Sequence, residues 1–190
     1  MILQQQFFVI TGGPGAGKTT LLNALASRGY KTVPEVARQI IRQQVLKNGT
    51  ALPWKDRLLY AQLLLAASVD SYKTTAEAHI RQPEPFVFFD RGIPDSIGYL
   101  HLTQIRVEQA LYEEAKNYRY NRMVFILPPW KAIYQKDAER KQDWEEAAAT
   151  YYTLKETYEQ SGYRIIDVPA GTIDSRVAFV LKEVRTVPFQ

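Results

Sequence analysis

The sequence contains no cysteine. That excludes disulfides, thiolate metal sites and cysteine nucleophiles, and it suits a cytoplasmic protein. No apolar run approaches the ~18 residues of a membrane-spanning helix, so no membrane segment is expected. The stretch from Met1 to Gln6 has no basic character and the apolar run after it is short, so no signal peptide is expected either. Histidine is scarce: His79 and His101 stand alone, without a third ligand at zinc spacing. Repeats and low-complexity segments are absent. The positive charge, net +4, comes in no polybasic block. This fits a chain that keeps spare Lys and Arg for an anionic small molecule better than one that wraps nucleic acid. With 190 residues the chain is long enough for one domain with its own core.

What is present begins at Phe7. Four apolar residues, Phe7-Phe8-Val9-Ile10, run into Thr11-Gly12-Gly13-Pro14-Gly15-Ala16-Gly17-Lys18-Thr19-Thr20. From Gly12 to Thr19 the pattern is G-x-x-x-x-G-K-T, the phosphate-binding Walker A loop. A buried strand must end here so that backbone can wrap a polyphosphate. Gly12, Gly15 and Gly17 permit the close approach. The amides from Gly13 through Ala16 and the start of the next helix form a nest for anions. Lys18 is expected to reach the β- and γ-phosphates of ATP or GTP. Thr19 is expected to hold Mg²⁺, and Thr20 to lie near the α-phosphate. A plain glycine turn between strand and helix is the competing reading; the strand before and the helix after favour the nucleotide.

The rest of the chain alternates strand and helix. Apolar runs at 7–10, 30–33, 86–90, 122–127 and 163–168 read as strands. Helices are expected over 18–27, from Glu35 onward, over 53–78, 97–103 and 107–118, up to Gln160, and over 173–184. The expected architecture is α/β: a five-stranded parallel sheet with helices on both faces, of the P-loop NTPase type. Ligands of such sheets bind at the carboxyl ends of the strands.

Chemistry-bearing residues fall at those ends. Asp90 closes an apolar strand, where a second Mg²⁺-holding carboxylate belongs; the alternative is a surface acid. Arg91 follows it, whereas ATPase motors often place there a glutamate that activates water. Glu35 and Arg38 follow the second strand. Glu35 is a candidate base for an acceptor hydroxyl, or a helix N-terminal acid paired with Arg38. The charged stretch with Lys136, Arg140 and Lys141 is a candidate lid, spanning about 131–145, that brings Arg140 to the transferring phosphoryl group; a solvated helix start is its bland counterpart. On the long helix Gln62 and Asp70 are substrate candidates or ordinary surface. Trp54, Trp130 and Trp144 read as packing rather than base stacking.

Four segments together carry a resemblance: Gly-Gly-Pro-Gly-Ala-Gly-Lys-Thr-Thr, Val-Pro-Glu-Val-Ala-Arg-Gln-Ile-Ile, Phe-Phe-Asp-Arg-Gly and Asp-Ala-Glu-Arg-Lys-Gln-Asp. The chain resembles a family of small P-loop ATPases grouped with the AAA domains, nucleoside-kinase-like in layout. It is also similar to the kinase domain of the NadR-type ribosylnicotinamide kinases, which share a Glu-x-x-Arg after strand two. Arg91 departs from the latter, which carry an acid at that place. The resemblance implies a kinase-like phosphotransferase moving the γ-phosphoryl of ATP or GTP to a small acceptor, a nucleoside or nucleotide. On that reading Lys18, Glu35, Asp90, Arg91 and Arg140 are catalytic, and Glu35, Arg38, Gln62 and Arg91 meet the acceptor. A slow ATP/GTP hydrolase or a nucleotide-dependent switch is the alternative.

Overall fold

The computed structural model describes residues 2–131 and 144–187. In chain order the elements are β1 (Ile2–Leu3), β2 (Phe7–Gly12), α1 (Lys18–Ala26), β3 (Lys31–Val33), α2 (Ala37–Leu46), α3 (Arg57–Arg81) and β4 (Val87–Asp90). They continue with α4 (Ile93–Leu102), α5 (Gln109–Asn117), β5 (Tyr118–Arg119), β6 (Met123–Leu127), α6 (Trp144–Gln160), β7 (Arg164–Asp167) and α7 (Ile173–Val184). The expected five strands form one sheet in the order β3-β4-β2-β6-β7, and every pairing is parallel. Two short strands, β1 and β5, add a separate parallel pair.

Alternation along the strands builds two cores. Phe7 and Val9 of β2 and Val87 and Phe89 of β4 pack on one face against Leu65, Val69 and Tyr72 of α3, Ile93 and Ile97 of α4, and Tyr158 of α6. Phe8, Ile10, Phe88, Phe125 and Leu127 point to the other face, against Leu21, Leu22 and Leu25 of α1 and Val177, Val180 and Val184 of α7. Side chains two apart share a face. Each buried Phe contributes about 1.5–3 kcal/mol over leaving it exposed, so a one-residue slip of β2 would misplace both cores at once. The same alternation sends Thr11 toward α4 and Asp90 toward α1. Covering both faces explains why β2, β4 and β6 read as continuous apolar runs.

Three boundaries differ from the sequence expectation. The long helix starts at Arg57 rather than Pro53, because Asp56 caps it by accepting from the Leu59 amide at 3.0 Å. Helical spacing in the sequence reads Leu58, Leu59, Leu63, Ala66 and Val69 as its apolar side; the buried face is instead Tyr60, Ala61, Leu64, Leu65, Val69 and Tyr72, and Ala66 is exposed. The helix after β4 begins at Ile93, not Ile97. Pro94 fits the first turn, where its missing N–H costs nothing, and Asp95 accepts from the Gly92 amide at 2.8 Å. Residues 93–96 are therefore helix where a loop was expected. Glu35 precedes α2 instead of starting it, which leaves it in the connection from β3 at the sheet edge.

Candidate functional site

The phosphate loop leaves β2, the central strand, and enters α1. Gly15 has φ 75° and Gly17 φ 84°, left-handed values that a side chain resists. At Gly12 a Cβ would lie 2.6 Å from the Leu127 carbonyl oxygen. At Gly13 it would lie 2.6 Å from the Ala147 carbonyl oxygen on α6. Lys18 folds back over the loop and donates to the carbonyls of Gly12 (3.0 Å) and Gly13 (3.3 Å). Burial lowers its pKa to about 8, and the Arg91 guanidinium adds to the effect; Asp90, Glu35 and Asp95 oppose it.

Asp90 pairs in register with Ile10 of β2, which sets it beside the loop. Its Oδ1 is buried and has no hydrogen-bond partner among the described residues. Burial raises its pKa, Glu35 and Asp95 adding and Lys18 and Arg91 opposing. A bare buried carboxylate oxygen is costly, so this atom is a place for a cation. Asp90 and Thr19 fit Mg²⁺, which takes few protein ligands and completes its shell with phosphate oxygens and water.

Arg91 adopts φ 68°, the left-handed region that a residue with a Cβ seldom occupies. The turn aims its guanidinium across the sheet edge. Its Nε donates to Glu35 Oε1 at 2.8 Å and its Nη1 to Asp95 Oδ1 at 2.9 Å. Burial disfavours its charge, but Glu35, Asp95 and Asp90 together outweigh that and hold it firmly protonated. Arg38 reaches Glu35 more loosely, with Nε 3.9 Å from Oε2.

A cleft of about 740 Å³ joins these groups. Residues Gly15 to Thr20 line one end, Glu35, Arg38, Asp90 and Arg91 the middle, and Tyr60 and Tyr99 a wall beyond. The two tyrosine rings meet edge to face at 5.1 Å. Burial raises the Tyr60 pKa, and the Glu35 carboxylate adds to the rise. Trp130 and Arg176 line the cleft on the loop side, with the guanidinium 5.9 Å from the indole centroid. Arg176, on α7, also donates to the Ala16 carbonyl at 3.2 Å.

The structure thus brings Lys18, Thr19, Thr20, Glu35, Arg38, Asp90 and Arg91 into one cleft. Gln62 is not among its lining residues: it lies about 200° around α3 from Tyr60, at 3.6 residues per turn. Tyr60 presents the face that Gln62 was expected to present. Trp130, expected as packing, lines the cleft. Arg140, Lys136 and Lys141 lie outside the described residues, and of the expected lid segment only residue 131 and residues 144–145, the last two opening α6, are described. His101 bridges Tyr112 and Thr157, at 2.9 and 3.1 Å. No cluster of three metal-binding side chains occurs among the described residues. No described helix is long and apolar enough to cross a membrane.

Three contributors were missed in the sequence: Asp95, Tyr60 and Arg176. Asp95 had a signal, since an acid three residues past a helix start is a capping pattern. Arg176 had none; only the fold brings α7 to the loop.

A family model described as an AAA domain matches residues 7–176. No curated protein matches significantly. Among solved structures, deoxyadenosine kinase from M. mycoides superposes with TM-score 0.65 and 16% identity, over 95% of this chain and 100% of that one. Thymidylate kinase from Ehrlichia chaffeensis gives 0.63 and 17%, over 94% and 98%. NadR protein in complex with NR gives 0.69 and 17%, over 96% of this chain and 50% of that one. At such identities the likeness is one of fold: the P-loop α/β fold that these kinases share.

Proposed function

The chain belongs to the AAA domain family whose model spans residues 7–176, and from that premise we propose that it is a phosphotransferase moving the γ-phosphoryl group of ATP or GTP to a small hydroxyl-bearing acceptor, a nucleoside or nucleotide. One observation carries the reading. The cleft does not stop at the phosphate loop but continues past Asp90 to Glu35, Arg91 and the tyrosine wall. Its volume falls in the ordinary range for small-molecule sites. A nucleotide switch needs only the first half of that space.

In this reading the loop amides and Lys18 hold the phosphates. Lys18 exchanges its carbonyl partners Gly12 and Gly13 for phosphate oxygens. Thr19 and Asp90 would hold Mg²⁺, which when bound neutralises charge on the phosphates. Glu35 takes the proton of the acceptor hydroxyl, for which it must come within hydrogen-bond reach. Arg91, between donor and acceptor, stabilises the charge that develops on the transferring group. Trp130 and Arg176 flank the base end. Arg140, between β6 and α6 in the chain, is assigned to the same phosphoryl group by its place in the sequence. Catalysis of this kind is mostly positioning and electrostatics.

The test is an acceptor panel of ribo- and deoxynucleosides and their monophosphates with ATP and Mg²⁺, read as ADP release and as phosphorylated acceptor. Transfer to at least one acceptor is expected. ADP release that no acceptor raises would replace this reading with a hydrolase or switch.

A further inference from the structure

Asp95 is 5% exposed, and four donors converge on its carboxylate. Thr11 Oγ1 and Arg91 Nη1 donate to Oδ1 at 2.6 and 2.9 Å; the Gly92 amide and the Tyr158 hydroxyl donate to Oδ2 at 2.8 and 2.5 Å. These donors come from β2 just before the phosphate loop, from the β4–α4 connection, and from α6. The Tyr158 contact needs an absent side chain: a Cβ at Gly92 would lie 2.8 Å from the Tyr158 oxygen and 2.9 Å from Val9 Cγ2. Asp95 is therefore fixed from three directions besides Arg91. Glu35 is not: it sits in a connection, and among the described residues the side chains that pair with its carboxylate are the two arginines, Arg91 and Arg38.

We propose that Asp95 is the positioning residue of the site, an immobile carboxylate that keeps Arg91 aimed into the cleft while Glu35 lets go of it to meet the acceptor hydroxyl. With Glu35 as its one carboxylate partner, Arg91 would follow that side chain, and the base would stay locked in an ion pair. With Asp95 fixed on the far side, the guanidinium keeps one charge-assisted bond when the other opens. The same carboxylate sets Arg91 relative to Thr11, and so relative to the start of the phosphate loop. This assignment rests on the phosphotransferase reading for the role of Arg91, but the geometry of the clamp can be tested apart from it.

Asp95→Asn keeps the shape and removes the charge, and its single acceptor oxygen cannot serve four donors. Tyr158→Phe removes one donor and leaves the clamp on Arg91, so it controls for stability. Nucleotide turnover, nucleotide affinity and urea unfolding are measured on the full chain. Turnover is expected to fall about a hundredfold in Asp95→Asn, the scale of losing one aligned charge-stabilising group. Affinity for ATP should stay within about threefold and Tyr158→Phe within about threefold of the parent in turnover, as for losses confined to the transition state. Turnover that simply tracks stability across the two variants overturns the proposal. If Asp95→Asn does not fold, Asp95→Glu replaces it: the charge remains but is displaced by one methylene, and unchanged turnover would overturn the proposal. The resonance of the Arg91 Nη1–H, the group that donates to Asp95, assigned against Arg91→Lys, needs no acceptor. It should be lost or move to the free-arginine position in the Asp95 variant and persist in Tyr158→Phe; persistence in both overturns the clamp. Absence of turnover in the parent protein would instead refute the phosphotransferase reading and leave the resonance to decide on Asp95.

Discussion

The two halves of the cleft are made of different material. The phosphate-loop half, the donor half of the proposed reaction, is backbone: glycines at left-handed torsions and the first turn of α1, all within residues 12–20. The half proposed to take the acceptor is side chain: Glu35 before α2, Tyr60 on α3, Arg91 after β4 and Tyr99 on α4, with Asp95 behind Arg91. A backbone site is fixed by local conformation and tolerates exchange of its surroundings. A side-chain site is fixed by partners, so its charges must balance each other when substrate is absent. Arg91, with a carboxylate on either side, is that balance.

The sharpest break between the halves is expected from Lys18→Ala. It removes the one side-chain charge of the donor half, and ATP affinity should drop by about a hundredfold or more, the weight of an unpaired polyphosphate contact (about 3 kcal/mol). Equilibrium binding of a fluorescent ATP analogue measures it; unchanged affinity would sink the assignment of the whole loop. Next comes Glu35→Gln. It should lower acceptor-dependent turnover by about 10²–10⁴-fold, the range for a lost general base, while leaving the nucleotide dissociation constant within about threefold. A parallel loss of nucleotide affinity would show that the halves are not separable.

The mildest effect is a pH dependence. The Lys18 amine has its pKa lowered to about 8 in the free protein. Bound phosphate favours the charged amine and raises that pKa again. Below pH 8 the lysine is charged before and after binding, and affinity is flat. Above it, binding must take up a proton, so affinity falls with rising pH by up to about tenfold per unit until the pKa of the complex is reached. Calorimetry in two buffers of different ionisation enthalpy should detect proton uptake at pH 9 and none at pH 6.5. Uptake that persists in Lys18→Ala would assign the proton elsewhere.

The same contrast explains what could be read from the sequence. The donor half is contiguous, so a pattern over eight residues reveals it, and α7 falls at the expected Ile173–Val184. The parallel sheet was legible because β2, β4 and β6 are buried on both faces and read as unbroken apolar runs. Asp90 and Glu35 were legible because strand ends are where such sheets put chemistry. The pairing of Arg91 with Glu35 was not, since the two come from separate elements far apart in the chain; Asp95, four residues after Arg91, was passed over because its stretch reads as loop rather than helix. The face of α3 was misjudged because both sides of that helix carry apolar residues: Leu58, Leu59 and Leu63 compete with Tyr60, Leu64 and Leu65. Only packing against α4 and the sheet decides between them.

Gly13 blurs the division between the halves. The G-x-x-x-x-G-K-T pattern leaves its second position open to any residue, and Gly13 has no left-handed torsion to account for. What forbids a side chain there is the Ala147 carbonyl of α6, a helix whose Tyr158 also donates to the Asp95 carboxylate behind Arg91. Tolerance at this position is therefore set by the distance to another helix. Variation at a site the motif treats as free would report on how closely α6 rides over the loop, and so on the tertiary arrangement of a region more than a hundred residues away in the chain.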